Sequence, residues 1–342
     1  MSGSSLDGLD LAMCRFSKQN GKWSFDLLDS KTIPYPEKWK VILEQAEDFS
    51  GRELIKLDAE YGKFIGQQAA GFINDINIKA NLISSHGHTV FHQPDIGITF
   101  QLGSGADIAA ITAITSVTDF RRTDVALGGQ GAPLVPVGDE LLFNSYDYCL
   151  NLGGFANISY NEAGQRIAFD ICPVNIILNR MIQLNGHPFD KDGLAGRSGK
   201  VNTYLLESMN NLPFYRENPP KSLGKEWLIN EFMPIVDKSN TPLNDKLRTI
   251  YEHIAIQIAK IPDNDKNILL TGGGTHNVFL VELIKKNCPV NFVIPDKNII
   301  EYKEAIIFAL LGLLRIEGEI NCLASVTGAA KDSCCGAVYR GI

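Results

Sequence analysis

The sequence predicts an α/β protein of two domains, and three observations carry that prediction. Strand-like and helix-like stretches interleave along all 342 residues. Three glycine-rich runs, at 1–8, 151–159 and 271–277, each abut an apolar, strand-like stretch. The two halves also echo each other: in each, a strand enters a glycine turn, a strand leaves it, and helices follow. Glycine lets a backbone approach phosphate closely, and consecutive N–H groups make an anion-binding concavity. Loops of this kind on separate halves predict a nucleotide held between two domains.

The elements follow in order. Residues 9–16 alternate as a strand leaving the first glycine turn, and 22–28 read as its antiparallel partner. Residues 37–47 and 51–78 have helical apolar spacing, with Leu54, Leu57, Tyr61, Phe64 and Ile65 on one face. A short strand at 82–85 ends in His86-Gly-His-Thr89, a helix spans 107–115, and a strand at 116–118 ends at Asp119-Phe-Arg-Arg122. The glycine- and proline-rich run 127–136 reads as a connector and sets the domain boundary. The pattern then restarts. A strand at 148–152 enters the second glycine loop, and 158–160 and 166–169 form a hairpin. Helices follow at 174–185, 198–210 and 243–260, then a strand at 267–270 enters the third loop, and 302–316 is the last long helix. The predicted domains are 1–135 with 317–342, and 136–316.

Composition narrows the function. Hydrophobic content of 44% and charged content of 21% are ordinary for a soluble globular protein. A net charge of −7 argues against a general nucleic-acid or membrane-surface binder. Seven cysteines without a framework spacing read as reduced thiols of a cytoplasmic protein, and neither a signal peptide nor a membrane-length apolar run is visible.

Familiar site signatures fail. Gly199-Lys200 has Leu194 where a Walker loop needs its first glycine, with Val201 after the lysine. Gly103-Ser-Gly105 lacks the third glycine of a dinucleotide fingerprint, and Asp190-Lys-Asp192 lacks a calcium loop's glycine and glutamate. No cysteine or carboxylate near His86, His88 and His92 completes a zinc set.

Taken in chain order, the motifs Met1-Ser-Gly-Ser-Ser-Leu-Asp-Gly8, His86-Gly-His-Thr-Val-Phe-His92, Asp119-Phe-Arg-Arg122, Leu127-Gly-Gly-Gln-Gly-Ala-Pro-Leu-Val-Pro136 and Asn151-Leu-Gly-Gly-Phe-Ala-Asn157 are specific. With Lys191-Asp192, Pro220-Lys-Ser222, Gly272-Gly-Gly274, Glu304-Ala305 and Ser325-Val-Thr-Gly328, the chain resembles the anhydro-N-acetylmuramic acid kinases over nearly its whole length. The resemblance implies a two-domain, actin-like ATPase (sugar kinase/Hsp70/actin) fold with a central interdomain cleft. It also implies an ATP- and Mg²⁺-dependent enzyme that hydrolyses the 1,6-anhydro bond and phosphorylates O6. The product is N-acetylmuramate 6-phosphate, in peptidoglycan recycling, and the family forms homodimers.

By the same resemblance, Gly3, Ser4, Ser5, Leu6, Asp7, Gly8, Leu9 and Asp10 form an ATP-phosphate loop. Gly153 and Gly154, with Gly272, Gly273, Gly274 and Asn277, cover the remaining phosphates and the adenosine. Asp7 and Asp10 flank the first loop and hold Mg²⁺ through water. Asp170, after the apolar strand 166–169, is the general base that activates water at the anomeric carbon; a helix cap near Val174 is its bland alternative. Glu304 is the second carboxylate, against a solvated helix-face glutamate. Arg121 and Arg122 grip the lactyl carboxylate, and His88 faces the sugar. Lys191, Arg197 and Lys221 add positive potential.

Four departures bear on this reading. Asp170-Ile-Cys-Pro-Val-Asn175 has Cys172 and Val174 where the family has glycines, which predicts crowding of a ligand-facing loop. His88 stands for glutamine and Ser104 for aspartate. The chain begins directly on its phosphate loop, without the strand that normally precedes it, and a start assigned some residues late is the expected explanation. Two other readings stay open: a kinase for another 1,6-anhydro sugar such as levoglucosan, and a non-catalytic sugar or nucleotide sensor.

Overall fold

The computed structural model describes Met1, Ser2 and residues 6–341. Twelve strands and fourteen α-helices follow in chain order among these residues. The first part holds β1 (Gly8–Gln19), β2 (Lys22–Pro34), α1 (Glu37–Glu44), α2 (Gly51–Ile76), β3 (Ile83–Ser84), β4 (His88–Gln93), β5 (Ile98–Leu102), α3 (Gly105–Thr112), β6 (Ser116–Thr118), α4 (Arg122–Ala126) and α5 (Val135–Leu142). Next come β7 (Tyr148–Leu152), β8 (Phe155–Glu162), β9 (Gln165–Pro173), α6 (Asn175–Gln183), α7 (Leu194–Ser198), α8 (Thr203–Asn210), α9 (Lys225–Trp227), α10 (Met233–Lys238) and α11 (Leu243–Ala259). The last are β10 (Asn267–Thr271), α12 (Val278–Asn287), β11 (Asn291–Val293), α13 (Lys297–Glu317), α14 (Ala324–Thr327) and β12 (Ala337–Tyr339). No helix among the described residues is long and apolar enough to cross a membrane.

The chain divides into two compact units, residues 1–142 with 302–342, and residues 143–301. The first division falls after α5 rather than at 135/136, because α5 packs on β2 and its Gly138 lies tight against Ile307. The second falls inside α13, after Glu301, rather than at 316/317. The run 127–136 is therefore built into the first unit: Gln130 N–H donates to Thr327 O at 2.8 Å and Ala330 N–H to Leu127 O at 3.0 Å.

In the second unit the sheet order is β11-β10-β7-β8-β9. β7, β8 and β9 form an antiparallel meander, and β10 and β11 add in parallel beside β7. Leu150, Leu152, Ile158, Ile268 and Leu270 fill its core with Ile250, Ile254 and Ile258 of α11, all essentially without solvent contact. Each contributes about 1.5–3 kcal/mol by burial.

The first unit has two separate sheet pieces for its α-helices to cover, the β1–β2 hairpin and a β12-β6-β3 sheet, besides the β4–β5 hairpin. Its longest early helix, α2, starts at a capping box in which Ser50 and Glu53 satisfy each other's backbone N–H. Leu57, Tyr61, Ile65, Ala69 and Phe72 then recur on one buried face. The helix ends where Asn77 takes a left-handed turn.

Candidate active site

In the second unit the glycine loops come together because β7 and β10 are neighbours. Gly272 has φ +85°, and a side chain there would lie 2.5 Å from Asn151 Oδ1 and 2.7 Å from the Leu152 carbonyl carbon. Gly274 packs against Leu152 in the same way. Gly273 is different: it is exposed, and a Cβ would have only Asn175 Nδ2 near it, at 3.8 Å. Asn175 pins the other loop, donating from Nδ2 to Leu152 O at 3.0 Å and Gly153 O at 2.8 Å. The N–H groups of Val174 and Ile176 bond Gly154 O. Two glycine turns thus sit side by side, with backbone open to solvent at Gly154 and Gly273.

Asn277 lies just beyond this pair, and its side chain is fully committed. Oδ1 caps α12 by accepting from Leu280 N, while Nδ2 donates to Tyr251 Oη at 2.7 Å. It holds the start of α12 against the Asp190–Gly193 turn, where Gly193 (φ +69°) leaves no room for a side chain beside Phe279. Arg197 pairs with Glu282 at 2.6 Å.

Asp170 sits within β9, opposite Asn157, where the β8–β9 register slips by one residue. The bulge leaves Ile171 unpaired, and such bulges re-aim the side chains beside them. Asp170 Oδ2 accepts from Leu223 N at 2.8 Å, and Asp170 N donates to Lys221 O at 3.1 Å. Oδ1 has no hydrogen bond among the described residues. Burial raises this carboxyl's pKa, partly offset by the Leu223 N–H. The residue does not cap α6, whose cap position is Val174 with no side-chain bond. Lys221 donates to Phe214 O at 3.1 Å and lies over the Phe214 ring.

The anticipated crowding at 170–175 does not occur. Cys172 and Val174 are fully buried in the core of the second unit, so their side chains point away from solvent rather than into a ligand-facing loop. The altered pair changes packing and leaves the exposed face of the strand end unobstructed.

In the first unit, Gly3, Ser4 and Ser5 of the expected phosphate loop lie outside the described residues. Leu6 has a left-handed φ of +54°, and Asp7 is exposed. Leu9 is a core residue, 2% exposed, so only its backbone could meet a ligand. Gly8 is required by packing, since a Cβ would sit 2.5 Å from Ile33 O. Asp10 Oδ1 accepts from Thr32 Oγ1 at 2.6 Å, which in turn meets Tyr302 Oη at 3.1 Å.

The polar face of this unit is organised by Arg121. Its Nε donates to His86 Nε2 at 2.9 Å and its Nη1 to Gly131 O at 2.6 Å, and Nη2 has no hydrogen bond among the described residues. Desolvation lowers its pKa to about 10, although Glu304 pulls the other way. Glu304 itself is exposed, while its neighbour Lys303 is buried in an ion pair with Asp139 at 2.7 Å. Protein packed around Glu304 raises its carboxyl pKa, opposed by Arg121 and then Lys303. Contact of the side chain with solvent tempers that rise. Arg122 is exposed. His88 is buried and its Nδ1 bonds Ser2 Oγ at 3.2 Å, in a chain that continues through Tyr35 to Tyr61.

Sequence reading missed the residue that holds the Gly-Gly-Gln-Gly run. Asp124 is wholly buried and accepts from Gly131 N at 2.7 Å, Thr327 Oγ1 at 2.7 Å and Cys322 Sγ at 3.0 Å. An aspartate followed by an apolar triplet and then clustered glycines, Asp124-Val-Ala-Leu-Gly-Gly129, was the available signal. Among the described residues no group of three His, Cys, Asp or Glu is placed to hold a metal ion.

The family model described as anhydro-N-acetylmuramic acid kinase matches residues 1–341. A protein of that name from Mannheimia succiniciproducens is 34% identical over 369 residues, covering 99% of this chain and 97% of its own. One from Gloeobacter violaceus is 34% identical over 362 residues, covering 97% and 95%. One from Pseudomonas syringae pv. tomato is 33% identical over 364 residues, covering 99% and 97%. Among solved structures, an activator of 2-hydroxyisocaproyl-CoA dehydratase from Clostridium difficile with bound ADPNP shows a distant likeness. It has a TM-score of 0.36 and 14% identity, over 54% of this chain and 66% of that one.

Proposed function

The chain belongs to the anhydro-N-acetylmuramic acid kinase family, and on that premise we propose that it opens the 1,6-anhydro ring of anhydro-N-acetylmuramic acid and phosphorylates the freed O6 from ATP. The product is N-acetylmuramate 6-phosphate, formed in the cytoplasm during peptidoglycan recycling. The observation that carries the chemistry is Asp170. One carboxylate oxygen is tied to Leu223 N–H and the other has no hydrogen bond among the described residues, which orients the group while keeping an acceptor for water.

Asp170 takes a proton from that water as its oxygen bonds to the anomeric carbon. The C1–O6 bond breaks, and O6 bonds to the γ-phosphorus as ADP leaves, so no separate acid is needed. Phosphoryl transfer asks the protein mainly for positioning and charge stabilisation. The adjoining turns at 152–154 and 272–274 fit phosphate, because Gly154 and Gly273 are exposed and no side chain crowds Gly273. Mg²⁺ supplies charge neutralisation on the phosphates. Asp10 and Asp7 would hold it through water, as suits an ion that keeps most of its own hydration.

Of the two arginines, the exposed Arg122, beside Asp119, offers its fork for a bidentate grip on the lactyl carboxylate, whereas Arg121 contributes through Nη2. Glu304 and His88 complete the sugar-side polar groups. The family reading also carries a homodimeric state, which sedimentation of the purified chain tests.

The decisive assay incubates the protein with Mg-ATP and anhydro-N-acetylmuramic acid and follows products by mass, beside Asp170→Asn. The expected product is the sugar plus water plus phosphate, reduced on the order of 10²–10⁴-fold in the variant. Phosphorylation without ring opening, or an undiminished variant, would overturn the role of Asp170.

A further inference from the structure

Asp170 is gripped by a stretch of chain with no regular structure of its own. Between the single helical turn Pro213–Arg216 and α9, residues 217–224 form neither helix nor strand. Two backbone groups of this stretch nevertheless hold Asp170 at both ends. Lys221 O accepts from Asp170 N at 3.1 Å, and Leu223 N donates to Asp170 Oδ2 at 2.8 Å. An irregular segment keeps such a register only where side-chain contacts fix it, because it has no ladder to close its own backbone bonds.

The fixing contacts belong to the Lys221 side chain. Its Nζ donates to Phe214 O at 3.1 Å, an acceptor it shares with Glu217 N–H. The same ammonium lies 4.6 Å from the centre of the Phe214 ring and 5.8 Å from that of Phe169. Both rings are buried, Phe214 packs against Tyr215 and Trp227, and Phe169 directly precedes Asp170 in β9. Attraction of a cation to a ring face grows as water is removed, and Lys221 is half-buried. Desolvation lowers its pKa, with Glu217 opposing and Lys260 adding to the fall. What moves the Asp170 carboxyl is burial and then the Leu223 N–H, and burial followed by Asp170 pushes the neighbouring Cys172 thiol up. The ammonium is therefore spent on rings and a carbonyl, and it reaches the carboxylate through the backbone.

We propose that Lys221 is a positioning residue for Asp170: fastened over the Phe214 and Phe169 rings, it holds Leu223 N–H on Oδ2 and so keeps Oδ1 as the acceptor for water. The role rests on the reading of Asp170 as the general base.

The test compares Lys221→Met, which keeps the stem over the rings but removes donor and charge, with Lys221→Arg, which keeps both. Two measurements need neither ATP nor sugar. Amide exchange is followed at Leu223, and the Asp170 carboxyl is titrated by ¹³C NMR of labelled aspartate, assigned by its absence in Asp170→Asn. In Lys221→Met the Leu223 amide is expected to exchange on the order of tenfold faster. The carboxyl then titrates higher than in the parent, because the lost N–H favoured its charged form. In turnover, kcat falls on the order of tenfold while KM for ATP stays within about twofold, and the acid limb of kcat moves up with the carboxyl. Lys221→Arg restores all of these. Unchanged exchange at Leu223 in Lys221→Met, a carboxyl that titrates higher without faster exchange, or an arginine variant as impaired as the methionine one would each overturn the proposal. A parent protein that forms no product would instead overturn the general-base reading, and the role of Lys221 in the reaction with it, even where the two substrate-free measurements show the tie.

Discussion

Arg121 donates from Nε to His86 Nε2 at 2.9 Å, and His86 Nδ1 lies 3.0 Å from Gly87 O. Nε2 therefore accepts, Nδ1 carries the proton, and the imidazole is neutral. The same guanidinium reaches Gly131 O, so one side chain ties the His86 turn to the Gly-Gly-Gln-Gly run.

Arg121→Lys is expected to destabilise the protein by about 1–3 kcal/mol, since one ammonium cannot reproduce a fork aimed at two partners. Arg122→Lys should leave stability within about 0.5 kcal/mol, because the side chain is exposed, while raising KM for the sugar. Denaturant unfolding and steady-state kinetics separate the two; a stable Arg121→Lys protein would contradict the tie.

Four histidines titrate below their usual range, of which His86, His88 and His253 are buried and His92 is exposed. Burial and then Arg121 lower His86 well below 6.5, burial lowers His88 and His92, and burial brings His253 to about 3. Below about pH 6.5 the unfolded chain binds protons that the folded chain does not. This contribution to stability is whole above that pH and is lost as pH falls through it. The unfolding free energy should drop between pH 7 and 5, at up to about 1.4 kcal/mol per pH unit for each of the three buried histidines, with His92 adding little because solvent screens it. His253→Gln retains hydrogen-bonding capacity toward Asn210 and Tyr215 and should flatten that slope by one histidine's share. A variant slope equal to the parent's would count against it.

Gly272 and Gly273 are adjacent but predict opposite outcomes. Gly272→Ala combines a positive φ with contacts of 2.5–2.7 Å to the 151–152 backbone and side chain, and should cost about 1–3 kcal/mol. Gly273→Ala meets nothing closer than 3.8 Å and should leave stability nearly unchanged while raising KM for ATP. Calorimetry with ATP titration distinguishes them, and a Gly273→Ala protein with unaltered ATP binding would remove that loop from the phosphate site.

Asp124→Ala leaves Gly131 N–H, the Thr327 hydroxyl and the Cys322 thiol without their shared acceptor. The expected loss is about 3–5 kcal/mol, against roughly 1 kcal/mol for Thr327→Val, which removes one donor. Paired denaturation curves check the ratio.

The legible parts of this molecule were the locally determined ones. Helical apolar spacing over 51–78 located α2, and glycine turns beside apolar runs located β7 and β10. Residues 127–136 were read as a connector and boundary because glycines and prolines crowd them, yet Val135 and Pro136 open α5, whose Gly138 packs against Ile307. The inward turn of Cys172 and Val174 was hidden by the bulge at Ile171, since an extra residue breaks the alternation from which facing is read. Contacts such as Asp124 with Thr327 join residues some two hundred positions apart, and no local pattern encodes them.

The buried Lys303–Asp139 pair also works as a key. A slip of α13 by one residue would rotate it by about 100°, strand a buried ammonium without its carboxylate, and cost several kcal/mol. The helix therefore has one rotational setting, and in that setting the next residue, Glu304, is the one delivered to the exposed side near Arg121.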